Sequence, residues 1–232
     1  MAPTGEIGFS FRLFARCPEF RVRAHLGREA LSTVVEFFYD YGSPYSYIAD
    51  TQLSRLIERT GCRVDYRPML LGGVFKATGN RSPAQEPVDA KRNYFGIEMR
   101  RWVDYYGLAF RSNPYFPINT LALMRHAHAA MATGVFEQFH ATVFPAFWER
   151  EKNLADPAIL SGELEAGGLD PGKLAETAGA PDIKAALRDT TEEAVSRGVF
   201  GAPSFFVNGE LFFGSDRLFF VESALAGGGG GG

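Results

Sequence analysis

Val34-Val35-Glu36-Phe37-Phe38-Tyr39-Asp40-Tyr41-Gly42-Ser43-Pro44-Tyr45-Ser46-Tyr47 opens on β-branched and aromatic residues and passes through turn formers. The first six positions predict a strand, and Asp40 to Pro44 predict its exit. Ser43 and Pro44 then supply an N-cap and a first-turn proline, Ile48, Leu53, Leu56 and Ile57 follow at helical spacing, and Gly61 stops the helix. Cys62 to Arg67 alternates Val64 and Tyr66 with charged neighbours, giving a second short strand. The segment reads β-α-β.

Outward from it, Val88 to Arg197 has a period near 3.6 throughout. Phe95, Met99, Trp102 and Tyr106 form a stripe closed by Gly107. Asn119 is expected to cap a helix through Leu123, Ala127 and Met131, closing at Gly134. Phe136, Phe139, Val143 and Phe147 form the next stripe, which Pro145 is expected to kink or end. Asp156-Pro157 and Asp170-Pro171 each set a capping acid before a first-turn proline, and Ile183, Leu187 and Ala194 extend a last helix towards Gly198. Strands return at Ser204 to Val207 and Glu210 to Phe213 around Asn208-Gly209, a hairpin signal because both turn positions need positive φ. Ser215 is expected to cap a final helix through Leu218, Val221 and Leu225. Each sheet fragment is too small to bury a face alone, so one α/β layer interrupted by a helical insertion is the economical fold.

Composition agrees with a soluble globular chain: 232 residues, 46% hydrophobic and 22% charged. A net charge of -3 gives no electrostatic case for nucleic acid or an anionic membrane surface. No stretch reaches the roughly 18 to 20 apolar residues of a membrane span, and Asn208, Glu210, Asp216 and Arg217 interrupt the apolar tail. Residues 1–33 mix arginines with glutamates around no clean apolar segment, and are expected to be an unstructured extension. Residues 227–232 are six glycines, a flexible tail. Most of the 21 phenylalanines fall on strands or helical stripes and are expected in the core.

Several residues could carry chemistry. Ser43 stands between a strand end and a helix start, where unpaired N–H groups and the helix dipole stabilise an anion; on these residues alone, service as a cap is the commoner role of such a serine. Ala202-Pro203 precedes a strand, and a cis bond there would expose the Ala202 backbone to an extended peptide ligand. His126 and His128 are two apart and point to different sides of a helix, so no metal site is expected. Cys17 and Cys62 are 45 positions apart and fit neither a disulfide framework nor a redox pair. The loop from Asn113 to Asn119 offers Tyr115, Phe116 and Asn119 to a second-substrate pocket, with Phe75 nearby in the same role.

Four motifs taken together, Val35 to Tyr47, Arg67-Pro68-Met69-Leu70-Leu71-Gly72-Gly73 with Gly79-Asn80, Gly198-Val199-Phe200-Gly201-Ala202-Pro203, and Phe213-Gly214-Ser215-Asp216-Arg217-Leu218, resemble the 2-hydroxychromene-2-carboxylate isomerase family. That family is similar to the kappa-class glutathione transferases and to DsbA-like thioredoxin-fold oxidoreductases. The resemblance spans residues 34–226. It implies an α/β thioredoxin-like domain, discontinuous over 34–87 and 198–226, interrupted by an all-helical insertion domain at 88–197, with a cis peptide at Pro203.

The resemblance places Ser43 and Ser46 where the oxidoreductases keep their two redox cysteines, which implies that the working thiol belongs to bound glutathione. Ser43 would then be the catalytic residue, hydrogen-bonding that sulfur and favouring its charged form. Tyr45, Asn80, Ala202 and Pro203 would join Ser43 around the tripeptide, Ser215 and Asp216 would hold its γ-glutamyl end, and Lys91 its glycyl carboxylate. The implied activity is a cytoplasmic, glutathione-dependent isomerase interconverting 2-hydroxychromene-2-carboxylate and trans-o-hydroxybenzylidenepyruvate in aromatic catabolism. A kappa-like glutathione transferase or peroxidase is the second reading, and a non-catalytic thioredoxin-like binding module the third. Glutathione and a small aromatic or unsaturated keto acid are the expected partners, with a homodimer among the assemblies this allows.

Overall fold

In the computed structural model, which describes residues 33–227, strand β1 (Val34–Tyr39) runs parallel to β2 (Arg63–Pro68) and antiparallel to β3 (Ser204–Val207), which pairs antiparallel with β4 (Glu210–Phe213). The sheet order is β2-β1-β3-β4. Helix α1 (Pro44–Thr60) makes the crossover that a parallel pair requires. Its ends carry the chemistry read from sequence: the Ser43 side chain accepts the Ser46 N–H, and Gly61 closes the helix at φ 68°. Asn208 and Gly209 take φ 51° and 84°, the double positive pair of a type I′ hairpin. The expected extension over residues 1–33 and the glycine tail, apart from Thr33 and Gly227, lie outside the described residues, as does Cys17.

β1 is buried on both faces, which is why its sequence reads as a nearly unbroken apolar run. Val35, Phe37 and Tyr39 enter the main core, where Phe37 stacks between Tyr39 and Phe205 at centroid distances of 5.0 and 5.1 Å. Phe38 points the other way, into a smaller core with Met69, Val74 and Phe206. Glu36 shares that second face and is held by Arg197 in a bidentate pair at 2.6 and 2.7 Å, with the guanidinium stacked 3.8 Å from the Phe206 centroid.

After β2 the chain is helical: α2 (Leu71–Thr78), α3 (Asp89–Tyr106), α4 (Leu121–Ala132), α5 (Phe136–Trp148), α6 (Pro157–Ala166), α7 (Pro171–Gly179) and α8 (Pro181–Ser196), with α9 (Leu218–Gly227) closing the fold after β4. Asp156 and Asp170 accept backbone N–H groups at the starts of α6 and α7, as their Asp-Pro pairs predict. Leu123, Phe144 and Trp148 pack in the same main core as Tyr39 and Phe205, so helices and sheet share one apolar interior. A polar chain crosses it, from the Tyr41 hydroxyl to His140 Nδ1 at 2.8 Å and from His140 Nε2 to Asp50 at 2.8 Å.

Two local expectations are corrected, one is narrowed and one helix is added. Sequence propensity does not predict α2, because Gly72 and Gly73 each weaken a helix by about 1 kcal/mol; burial of Val74 and the Leu71 N–H bond to Asp40 hold it. Pro145 neither ends α5 nor starts its exit, since the helix continues to Trp148. The indole of that residue is buried and donates to the Tyr41 carbonyl at 2.8 Å, which anchors the last turn. α4 starts at Leu121 with Thr120 at the cap position, while Asn119 Oδ1 accepts the Leu121 N–H at 3.0 Å from one residue further back. Ser215 caps no helix: it begins a short 3₁₀ turn, Ser215–Arg217, behind Gly214 at φ 109°.

Candidate active site

Ser43 has the extended backbone of a cap, φ -93° and ψ 114°, and is almost completely buried. Its hydroxyl accepts from Ser46 N–H and donates to the Ala202 carbonyl, both at 3.1 Å. Pro44 has no N–H and Ser46 is capped, so Tyr45 N–H is the first-turn donor left without a partner among the described residues. A hydroxyl and an open N–H thus meet at the positive end of the α1 dipole, a setting that stabilises an anion. The Ala202-Pro203 bond is cis.

Asp40, the residue immediately after β1, fixes this corner. Its buried carboxylate accepts the Gly42 N–H, the Leu71 N–H and the Thr120 hydroxyl, each at 2.9 Å. One side chain therefore ties the Ser43 loop to the starts of α2 and α4. Burial raises its pKa, while the bonds from Leu71, Gly42 and Thr120 oppose that rise. Gly42 lies so close to Thr120 that a Cβ there would meet Thr120 Cγ2 at 2.7 Å.

The corner opens into a cleft of about 930 Å³, and all eight residues assigned to glutathione line it. Their present bonds differ from those roles. Asn80 donates its amide to the Phe200 carbonyl at 2.8 Å, so it joins the end of α2 to the segment before Ala202. Lys91 pairs with Glu86 at 2.8 Å and is largely exposed. Ser215 is buried, and Asp216 pairs with the neighbouring Arg217. The Tyr45 hydroxyl is buried without a hydrogen-bond partner. Burial, followed by the charges of Glu98 and Asp216, pushes its pKa up to about 12, so it remains a donor at neutral pH.

Of the residues expected at a second-substrate pocket, Phe75 and Phe116 line the cleft. Tyr115 and Asn119 do not: Tyr115 is exposed, and Asn119 serves the start of α4. The wall they were expected to form comes instead from α3, through Phe95, Met99 and Trp102. Those three lie on the helical stripe that the sequence predicts, and no residue of α3 is buried, so the stripe lines the cleft rather than the core. Sequence gives Asp40 only as part of the strand's exit turn, although an acid between a buried strand and a cap, with no cation nearby in sequence, is a signal in itself. His126 and His128 each donate to a backbone carbonyl, of Ala122 and Pro68, and no cluster of three metal-ligating side chains occurs among the described residues. Cys62 is buried and unpaired, on the far side of α1 from its cap. No helix among those residues is long and apolar enough to cross a membrane.

A family model described as a DSBA-like thioredoxin domain matches residues 34–226. A 2-hydroxychromene-2-carboxylate isomerase of Sphingobium xenophagum is 32% identical over 197 residues, 84% of this chain and 99% of that protein. Human glutathione S-transferase kappa 1 is 26% identical over 204 residues, covering 81% and 88% of the two chains. The solved structure of a 2-hydroxychromene-2-carboxylate isomerase superposes with a TM-score of 0.73 at 26% identity, over 83% of this chain and 94% of that one. By that family match and that relative, the chain belongs to the DSBA-like thioredoxin domain family, on its 2-hydroxychromene-2-carboxylate isomerase branch.

Proposed function

We propose that the chain is a glutathione-dependent isomerase that interconverts 2-hydroxychromene-2-carboxylate and trans-o-hydroxybenzylidenepyruvate. The observation that carries the reading is Ser43: a hydroxyl at the N-terminus of α1, facing Ala202 across a cleft of about 930 Å³, in a fold whose two redox positions hold serines here. The residues present fit a bound tripeptide thiol. The cleft is at the upper end of the usual small-ligand range of about 300 to 1,000 Å³. Its wall carries an orphaned Tyr45 hydroxyl and an open Tyr45 N–H, and the backbone of Ala202 lies beside the serine. Ser43, Tyr45, Asn80, Lys91, Ala202, Pro203, Ser215 and Asp216 would hold glutathione. When bound, glutathione supplies the thiol nucleophile for the isomerisation.

The chain's own groups do the rest. The Ser43 hydroxyl turns from the Ala202 carbonyl to the sulfur, and with the α1 dipole favours the thiolate over the thiol. A free thiol has a pKa of about 8.5, so a fall of two units raises its charged fraction at pH 7 roughly twentyfold. Phe75, Phe95 and Phe116 give the aromatic ring an apolar wall that excludes water. The division into a glutathione-binding part, 34–87 with 198–226, and a substrate-facing helical insertion, 88–197, belongs to the same proposal. So do a cytoplasmic location and a homodimer.

The kinship to kappa transferases favours a second reading, in which the same serine activates glutathione for attack on an electrophile. The two separate in one assay set. The isomerase reading expects glutathione-dependent absorbance change with the chromene carboxylate and little conjugation of 1-chloro-2,4-dinitrobenzene. Conjugation without turnover of the chromene would select the transferase. Absence of any thermal stabilisation by millimolar glutathione would leave only the binding module.

A further inference from the structure

A second cavity, of about 490 Å³, opens between α2, α4 and α8, away from the Ser43 cleft. Leu70, Leu121, Leu187 and Val195 make its interior apolar. Two of its residues are cations that the fold does not match. Arg125, half-buried on α4, has a buried Nε that makes no hydrogen bond. Leaving such a donor unpaired costs about 1 to 3 kcal/mol, more on a charged group. Lys184 makes no ion pair among the described residues. Arg188 hydrogen-bonds Asp189 at 3.0 Å, and Glu192, the one acid on the cavity wall, lies 3.9 Å from Arg188 and pairs with neither Arg125 nor Lys184 among the described residues. An apolar interior with two uncompensated cations is complementary to a ligand with an apolar body and one anionic end. The planar fork of a guanidinium matches a carboxylate in particular.

We propose that this cavity is a binding site for a small amphiphilic carboxylate, its chain against Leu70, Leu187 and Val195 and its carboxylate on Arg125 with Lys184. The site is separate from the Ser43 cleft and does not rest on the function assigned there. The test is calorimetric titration of decanoate into the full chain and into three variants. Arg125→Met keeps the aliphatic stem and removes the fork, and should weaken binding about tenfold or more. Ala77→Trp fills the mouth from an exposed position of α2 and should abolish binding while leaving the melting temperature in place. Phe116→Ala alters the other cleft and its packing on Trp148, touches no residue of this cavity, and should leave the affinity unchanged. The proposal is overturned if decanoate gives no saturable heat, if Arg125→Met and Ala77→Trp bind it as the parent does, or if Phe116→Ala is the variant that loses it. A dimer in sedimentation that Ala77→Trp dissociates, together with no decanoate binding, would assign the cavity to a second copy of the chain instead.

Discussion

At the scale of single residues, Ser43 and Asp40 divide the work of one corner. Ser43 is both a helix cap and the proposed partner of a sulfur, and the two roles respond differently to removal of the hydroxyl. Loss of a cap costs about 1 kcal/mol of stability and leaves the pH dependence of activity where it was. Loss of an anion's hydrogen bond raises the pH at which activity appears. Ser43→Ala is expected to do both, with the acid limb of kcat/KM moving up by about one unit, since one unit corresponds to about 1.4 kcal/mol. An unmoved limb would leave Ser43 as a cap only. Asp40 acts through its neighbours. Asp40→Ala leaves the Gly42 N–H, the Leu71 N–H and the Thr120 hydroxyl without their acceptor, and is expected to lower the unfolding free energy by about 2 to 3 kcal/mol in urea titrations. That exceeds what release of a buried carboxylate returns, because three donors are orphaned at once.

At the scale of elements, the starts and stops follow local chemistry. Gly61 ends α1 at φ 68°, and a Cβ there would meet nothing within 4 Å. Gly61→Ala is therefore a measure of backbone conformation alone, and is expected to destabilise by about 1 kcal/mol in the same titration. A neutral outcome would mean that the last turn refolds around the alanine. This local character explains what was legible in sequence. The Ser43 cap, the Gly61 stop, the two Asp-Pro starts and the Asn208-Gly209 turn are each set by residues within a few positions of one another. α2 and the site's corner are not. Asp40 and Thr120 are 80 residues apart, and Asn80 meets Phe200 across 120. The Ser43 to Ala202 contact spans 159, and only the motif resemblance brought those two together. Loop position in the sequence predicts Tyr115 and Asn119 at the site, and the fold leaves both exposed and outside the cleft lining.

At the scale of the whole molecule, ionisation links the fold to pH. Burial lowers the pKa of His126 and His128 below the usual 6.5, and Arg197 lowers that of Glu36 below 4.5. In each case the unfolded chain takes up the proton more readily than the folded one. The stability from these groups is present above the unfolded pKa and lost as pH falls through the folded one. The urea midpoint should therefore be flat near neutral pH, decline below about 6.5 as the histidines charge, and decline again below about 4.5 as the Glu36 and Arg197 pair breaks. His128→Gln keeps a side-chain donor near the Pro68 carbonyl and should shrink the first decline. A midpoint that stays level down to the carboxylate range would contradict the assignment. The most direct test of the central claim, that this corner stabilises a glutathione thiolate, is the ultraviolet thiolate absorbance of glutathione bound to the protein, followed against pH in the parent and in Ser43→Ala. We expect the bound thiol to ionise well below the free value of about 8.5 in the parent and to move back towards it in Ser43→Ala. Ionisation at the free value in the parent, or identical curves for the two proteins, would contradict it.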